Sequence, residues 1–249
     1  MASPIHQFNI TPIIPFEVGG VDLSFTNSAL WMAIGALLSC TYFIVATRKK
    51  ALVPDRLQVT AEMFYEFIAG MIRENTGPKG RQFFPVIFTL FIVVLMGNML
   101  GLIPYAFTYT SHIIVTFMLA AMIFFMVTVF GFINHGTKFL SVFVPSGVPL
   151  PLLILIVPIE LLSFLIRPIT LSVRLFANMV AGHLMLKVFA GFSTMLLVGL
   201  GAGGIVVGIL PMLFNVGIYM LEVLVALLQA YVFAVLSAIY LKDAVELHH

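Results

Sequence analysis

The chain has 249 residues, of which 61% are hydrophobic and only 9% charged, with a mean hydropathy of +1.15. Soluble domains carry roughly a quarter charged residues, so this composition excludes a water-soluble globular protein and points to an integral membrane protein. A net charge of +2 leaves no basic surface for nucleic acid, and a single cysteine, Cys40, excludes an internal disulfide.

Residues 1–27 hold Pro4, Pro12, Pro15 and Gly19-Gly20. They lack a basic region leading into a short apolar core, so the segment does not read as a signal peptide. Residues 28–47 form a first span of about 20 apolar residues, with Trp31 near one end, where an indole suits the interface. Arg48, Lys49 and Lys50 end it. With Arg56, Arg73, Lys79 and Arg81 they place seven of the twelve basic residues in one loop. The positive-inside rule assigns that loop to the cytoplasm or matrix, with the N-terminus outside and the C-terminus cytoplasmic.

Within 55–77, Val59, Met63, Phe64, Phe67, Ile68, Met71 and Ile72 recur at three- and four-residue spacing, while Gln58, Glu62, Glu66, Arg73 and Glu74 fill the other face. The spacing predicts an amphipathic helix lying along the membrane surface, capped by Asp55 and stopped at Gly77-Pro78. Residues 83–134 form a transmembrane hairpin whose joining loop, around Pro104 and His112, lies outside. Gly97 and Gly101 sit four apart, a spacing that lets helices approach closely, and Asn98 beside them is placed to bond to a neighbour. His112 and His135 flank spans and suit solvated interfacial positions. No metal-ligand spacing appears, and no cofactor is expected.

From 150 to 241 the chain runs almost without a polar loop, as either four short upright spans or two helices of about 40 residues. Helices of that length are near 60 Å, twice the hydrocarbon thickness, and must lie strongly tilted. Polar spacing favours the two long helices. Glu160, Arg167 and Arg174 fall seven apart and Asn178 four further on, one stripe over about 27 Å of continuous helix. Asn215, Glu222 and Gln229 repeat the device, with Tyr219 on the same side. Arginine at the bilayer centre costs roughly 2.5–3.5 kcal/mol on insertion scales, so Arg174 persists where a partner, a cavity or a function holds it. The predicted fold is an all-α integral membrane protein: one single membrane domain with an upright span, a surface amphipathic helix, a hairpin and two long tilted helices.

The run Leu171 to Gly182 with Arg174 and Asn178, the upstream Pro158-Ile159-Glu160-Leu161 and the later Leu228-Gln229-Ala230 resemble subunit a of the rotary F-type ATP synthases. The resemblance covers the chain from about the first span to Lys242. It implies a proton-conducting stator subunit whose two tilted helices press on a rotating ring of c subunits, each with one membrane-embedded carboxylate. It also implies two aqueous half-channels, one per membrane face. By position, Arg174 matches the family's essential arginine, Asn178 and Gln229 its polar neighbours, Glu160 an inner acidic residue, and His183 with Glu222 the outer-channel pair. The best-known bacterial pattern has the acid first and the histidine second. Here they are exchanged, as in the mitochondrial branch, which suggests an α-proteobacterial or mitochondrial type.

The implied partners are the c-ring, the peripheral-stalk b subunits, the rest of the complex, membrane lipid and protons, in a bacterial inner membrane or, as the alternative, a mitochondrial inner membrane. No covalent chemistry is expected in this chain; nucleotide chemistry belongs to other subunits. A guanidinium stays charged at any working pH and presents a planar fork to a carboxylate. Arg174 can therefore attract a deprotonated ring site and separate the two half-channels. Nine residues on an ideal helix advance about 900°, so His183 should look away from the face of Arg174, toward the second long helix. The alternative reading is a stand-alone secondary transporter in which Arg174 binds an anionic substrate, although two similar halves are not evident.

Overall fold

The structure is a computed structural model that describes residues 7–18, 20–48, 54–103, 106–144, 149–199 and 204–245. Pro4, Gly19, Lys49, Lys50 and Pro104, singled out in the sequence, lie outside the described residues. Among the described residues there are six α-helices: α1 (Asn27–Arg48), α2 (Arg56–Thr76), α3 (Phe84–Gly101), α4 (Ile113–His135), α5 (Leu150–Gly199) and α6 (Gly204–Val245). Five helical stretches are long and apolar enough to cross a membrane, and they involve every helix except α2. This is the all-α membrane architecture that the composition predicts.

Before α1 the chain forms short antiparallel strands that the sequence did not suggest. Strand β1 (Pro12–Ile14) pairs with β4 (Phe25–Thr26), and β2 (Glu17–Val18) pairs with β3 (Val21–Asp22). Gly20 takes a φ of 85°, a conformation that costs a side-chain-bearing residue and suits glycine at a tight turn. Asn27 ties this segment to α1: its Oδ1 accepts from the backbone N–H groups of Thr11 and Ser28, and its Nδ2 donates to the carbonyl of Asn9.

Helix α2 begins at Asp55, whose carboxylate accepts from the N–H of Arg56, and ends at Gly77, whose N–H donates to the carbonyl of Arg73. Its apolar face is only partly covered. Ile68, Met71 and Ile72 are buried, whereas Met63 and Phe67 remain exposed.

The glycines of α3 do something other than admit a neighbouring helix. A Cβ on Gly97 would lie 2.6 Å from the ring of Tyr109, and one on Gly101 would collide with Thr108. They make room for the loop that returns from α3 toward α4. Within that loop, the Tyr109 hydroxyl donates to the carbonyl of Val93 at 2.9 Å. His112 is half-buried and stacks on Phe107 with ring centroids 5.1 Å apart, so it is not the solvated residue predicted for it; burial lowers its pKa.

The region after residue 149 forms two long helices rather than four short ones. Pro158 and Pro168 lie inside α5, and Pro211 inside α6, without ending either helix. A proline removes one backbone donor and crowds the preceding turn, a cost of about 3 kcal/mol in a helix interior. At 50 and 42 residues the helices extend for about 75 and 63 Å.

By contacts the chain divides into two compact units. The first comprises Met1–Leu38, Val93–His112 and Leu175–Ala230; the second comprises Ser39–Ile92, Ile113–Arg174 and Tyr231–His249. In the second, the Thr116 and Ser172 hydroxyls meet at 3.1 Å between α4 and α5. Phe164 of α5 packs there against Phe124 at 4.9 Å and Phe143 at 5.4 Å.

Candidate functional site

In the first unit, α5 and α6 bring His183 and Glu222 together. Both are buried, at 9% and 4% exposure, and His183 Nδ1 lies 3.7 Å from Glu222 Oε1. That separation is an ion-pair distance and longer than a hydrogen bond. The other imidazole nitrogen, Nε2, lies 2.9 Å from the hydroxyl of Thr108, which the loop after α3 carries. The ring thus stands between a carboxylate and a hydroxyl, and Phe8 meets its face edge-on at 6.5 Å.

Glu222 has neither carboxyl oxygen hydrogen-bonded among the described residues, although both are buried. A buried, unsolvated carboxylate is expensive, so this group must hold a proton, meet water or pair with a charged imidazole. Each of those states differs from the others by the position of a proton. Gly182 permits the arrangement, because a Cβ there would lie 2.5 Å from Glu222 Oε1.

Beside the pair lies a cavity of about 390 Å³, lined by His183, Thr108, Lys187, Asn215 and Tyr219 among others. A cavity of that size holds several waters, and polar groups on several sides give them partners. Asn215 Oδ1 is buried without a hydrogen-bond partner among the described residues. The Tyr219 hydroxyl lies 3.5 Å from the carbonyl of Leu102, at the outer limit of a hydrogen bond.

A second polar contact joins the same helices one to two turns away. Asn178 Nδ2 donates to Gln229 Oε1 at 2.9 Å, and Gln229 is 4% exposed. Three residues from Gln229 along α6, the carbonyl of Ala226 accepts from Asn98 Nδ2 at 3.1 Å. Asn98 is fully buried, which gives the polar residue of α3 a partner on α6.

Glu160, Arg167 and Arg174 belong to the second unit. Arg174 is exposed on α5 and, among the described residues, has no hydrogen-bond or ion-pair partner. Arg167 is half-buried between aromatic rings, its guanidinium 5.1 Å from the centroid of Tyr240 and 5.7 Å from that of Phe164. Cation–π contact stabilises a desolvated guanidinium. Glu160 is half-buried, seven residues before Arg167 on the same helix.

Thr108, Lys187 and Gly182 were not singled out in the sequence. Lys187 had a usable signal, since it lies one helical turn from His183 and is therefore on the same side of α5. Gly182 had a weaker one, standing next to the histidine. Thr108 had none, because its partner is 75 residues away in the chain.

Comparison with known proteins adds the remaining line of support. The model of the ATP synthase A chain family matches residues 29–242. The chain is 54% identical over 246 residues to ATP synthase subunit a of Mesorhizobium japonicum, covering 99% of this chain and 97% of that protein. It is 51% identical over 251 residues to ATP synthase subunit a of Paramagnetospirillum magneticum, and 51% identical over 248 residues to that of Rhodospirillum rubrum, with full coverage of both chains in each case. These relatives are α-proteobacterial. A match over most of the length, on helices that carry the arginine, the polar neighbours and the His–Glu pair, establishes that this chain belongs to the ATP synthase A chain family.

Proposed function

We propose that the chain is the proton-conducting stator subunit of a rotary ATP synthase and that the cavity beside His183 belongs to its outer half-channel. The observation that carries this reading is the His183–Glu222 pair, 3.7 Å apart beside that cavity. A proton arriving through water is taken up by the imidazole or the carboxylate and passed on toward a carboxylate of the c-ring. Imidazole and carboxylate suit the task because small changes of environment move either across neutrality. Asn178 and Gln229 hold α5 and α6 in register beyond the pair.

Arg174 is the barrier. Exposed and unpartnered within the described chain, it offers its fork to a deprotonated ring carboxylate and keeps a protonated one from passing without giving up its proton. Glu160 sits on the inner side of that barrier. Arg167, held between Phe164 and Tyr240, takes a structural part rather than joining the proton path.

The lengths of α5 and α6, about 75 and 63 Å against a core of about 30 Å, support strong tilt in the bilayer. Their long exposed apolar surface, with Ile154, Val198, Met212 and Met220 each above 60% exposed, is suited to the ring and to lipid. In this arrangement the chain forms one membrane domain: residues 1–27 lie outside, 28–47 are upright, 55–77 lie on the inner surface, 83–134 form the hairpin and 150–241 face the ring. The peripheral-stalk b subunits hold it fixed. Family membership displaces the stand-alone transporter as a reading.

The test is side-specific labelling of the assembled synthase. In a Cys40→Ser background, Asn215→Cys should react with a membrane-impermeant thiol reagent from the outer side, with proton transport blocked as it does. Reaction from the inner side alone would remove the cavity from the outer path.

A further inference from the structure

We propose that the cavity at the end of α2 is a binding site for the headgroup of an anionic phospholipid, with Arg73 and Arg81 holding its phosphodiester. The cavity measures about 480 Å³ and is lined by Tyr65, Ala69, Ile72, Arg73, Arg81 and Phe84, together with Gly77 and Pro78. It is separate from the His183–Glu222 site and takes no part in the proton path proposed above.

Local chain geometry builds it. Gly77, at a φ of 66°, ends α2 in a conformation that glycine adopts without strain, and Pro78 opens the 3-10 turn Pro78–Phe83. A Cβ on Gly80 would lie 2.5 Å from the Cβ of Thr76, so the turn is pressed against the last turn of α2. This reversal returns Arg81 to the same cavity as Arg73, eight residues earlier.

Both arginines are exposed, and among the described residues neither has an ion-pair partner. The acidic residues of α2 do not neutralise them: Glu62 accepts from Gln58, and neither Glu66 nor Glu74 lines the cavity. Two unpaired guanidiniums on one cavity make a site for phosphate oxygens, which their planar forks match in pairs.

The remaining wall decides between a free anion and a lipid. Tyr65 and Phe84 pack with ring centroids 4.6 Å apart, and Ala69 and Ile72 continue the apolar lining beside them. A soluble phosphate needs polar donors around it and gains nothing from an apolar wall. An amphiphile uses both: its phosphodiester takes the arginines and its glycerol and upper acyl chain take the rings. Basic pockets of membrane proteins at the bilayer surface recognise anionic headgroups in this way.

The experiment places the assembled synthase in nanodiscs of phosphatidylcholine with a minor fraction of spin-labelled phosphatidylglycerol and measures the immobilised lipid. Arg73→Gln and Arg81→Gln should each weaken retention roughly five-fold, and the double variant roughly twenty-five-fold. The double lysine variant, which keeps the charge but lacks the forks, should retain more lipid than the double glutamine variant and less than the unmodified synthase, and so separates lost charge from lost folding. Ala69→Trp should weaken lipid retention without touching the charge. Unchanged retention in the double glutamine variant would overturn the site, as would no immobilised lipid in the unmodified synthase. Displacement of the label by inorganic phosphate would make it a site for a free anion instead.

Discussion

Glu222 packs its carboxyl against the bare Cα of Gly182, so closely that a methyl group there would lie 2.5 Å from Oε1. The neighbouring residue, His183, approaches the same oxygen, its Nδ1 lying 3.7 Å from Oε1. One glycine therefore sets how near the acid can come to α5. The Gly182→Ala variant should assemble, because the far end of a flexible side chain can swing away, yet lose much of its proton transport as the pair separates. The Gly182→Val variant should also lose stability, by roughly 1–3 kcal/mol from overpacking. Proton pumping by inverted vesicles, set against the amount of assembled complex, distinguishes the two; full pumping in Gly182→Ala would show that the spacing is immaterial.

The pair should tolerate exchange better than deletion. His183→Glu combined with Glu222→His keeps one imidazole facing one carboxylate, so the double variant should recover more proton transport than the single changes predict. A coupling of about 1 kcal/mol or more is expected for groups in contact. Strict additivity across the four proteins would mean that the residues act separately.

Thr108 offers a finer test. Thr108→Val preserves shape and removes the hydroxyl 2.9 Å from His183 Nε2, leaving a buried ring nitrogen without its partner at a cost of about 1–3 kcal/mol. Thr108→Ser should restore most of the lost transport. If valine and serine behave alike, the hydroxyl does not orient the imidazole.

Arg174→Ala and Arg174→Gln should abolish proton-driven ATP synthesis in reconstituted vesicles while assembly stays nearly intact, since removing a costly charge from an apolar helix does not unfold it. Arg174→Lys should fail as well, because an ammonium lacks the planar fork. Coupled synthesis at the normal rate in the alanine variant would contradict the barrier role.

Tyr109 predicts an alkaline dependence. Burial raises its pKa from 10.0 to about 12, and its neutral hydroxyl donates to the Val93 carbonyl. Because the folded value is the higher one, its contribution to stability is complete below pH 10 and is lost as the pH rises toward 12. Tyr109→Phe should cost about 0.5–1.5 kcal/mol below pH 10 and should flatten this part of the stability profile. The measurement is the thermal midpoint of the purified chain in detergent on either side of that pH, with Trp31 as the reporter.

Helix positions were legible because apolar length and polar spacing are properties of contiguous sequence. The predicted span at 28–47 corresponds to α1, Asn27–Arg48, and the seven-residue spacing of Glu160, Arg167 and Arg174 lies within the unbroken α5. Arg174 is exposed and His183 buried. What a polar side chain meets depends on distant chain. Arg167 fits the polar stripe by spacing, yet it stacks on Tyr240, 73 residues on. Gly97 and Gly101 read as a helix-packing pair, yet they accommodate Tyr109 and Thr108 of a loop. The N-terminal strands are too short, at two or three residues, to leave a periodic signal.

The position of Thr108 on a loop bears on how such a protein can be recombined. The imidazole sits on α5, its carboxylate on α6 and its hydroxyl partner in the segment after α3, far upstream in the gene. A chimaera that grafts residues 150–241 of one family member onto the front half of another inherits the acid and the ring from one parent and the hydroxyl from the other. Its crossover would cut through the site although no site residue lies near the junction. Grafts that carry residues 102–112 along with the two long helices should conduct better than those that leave this loop behind.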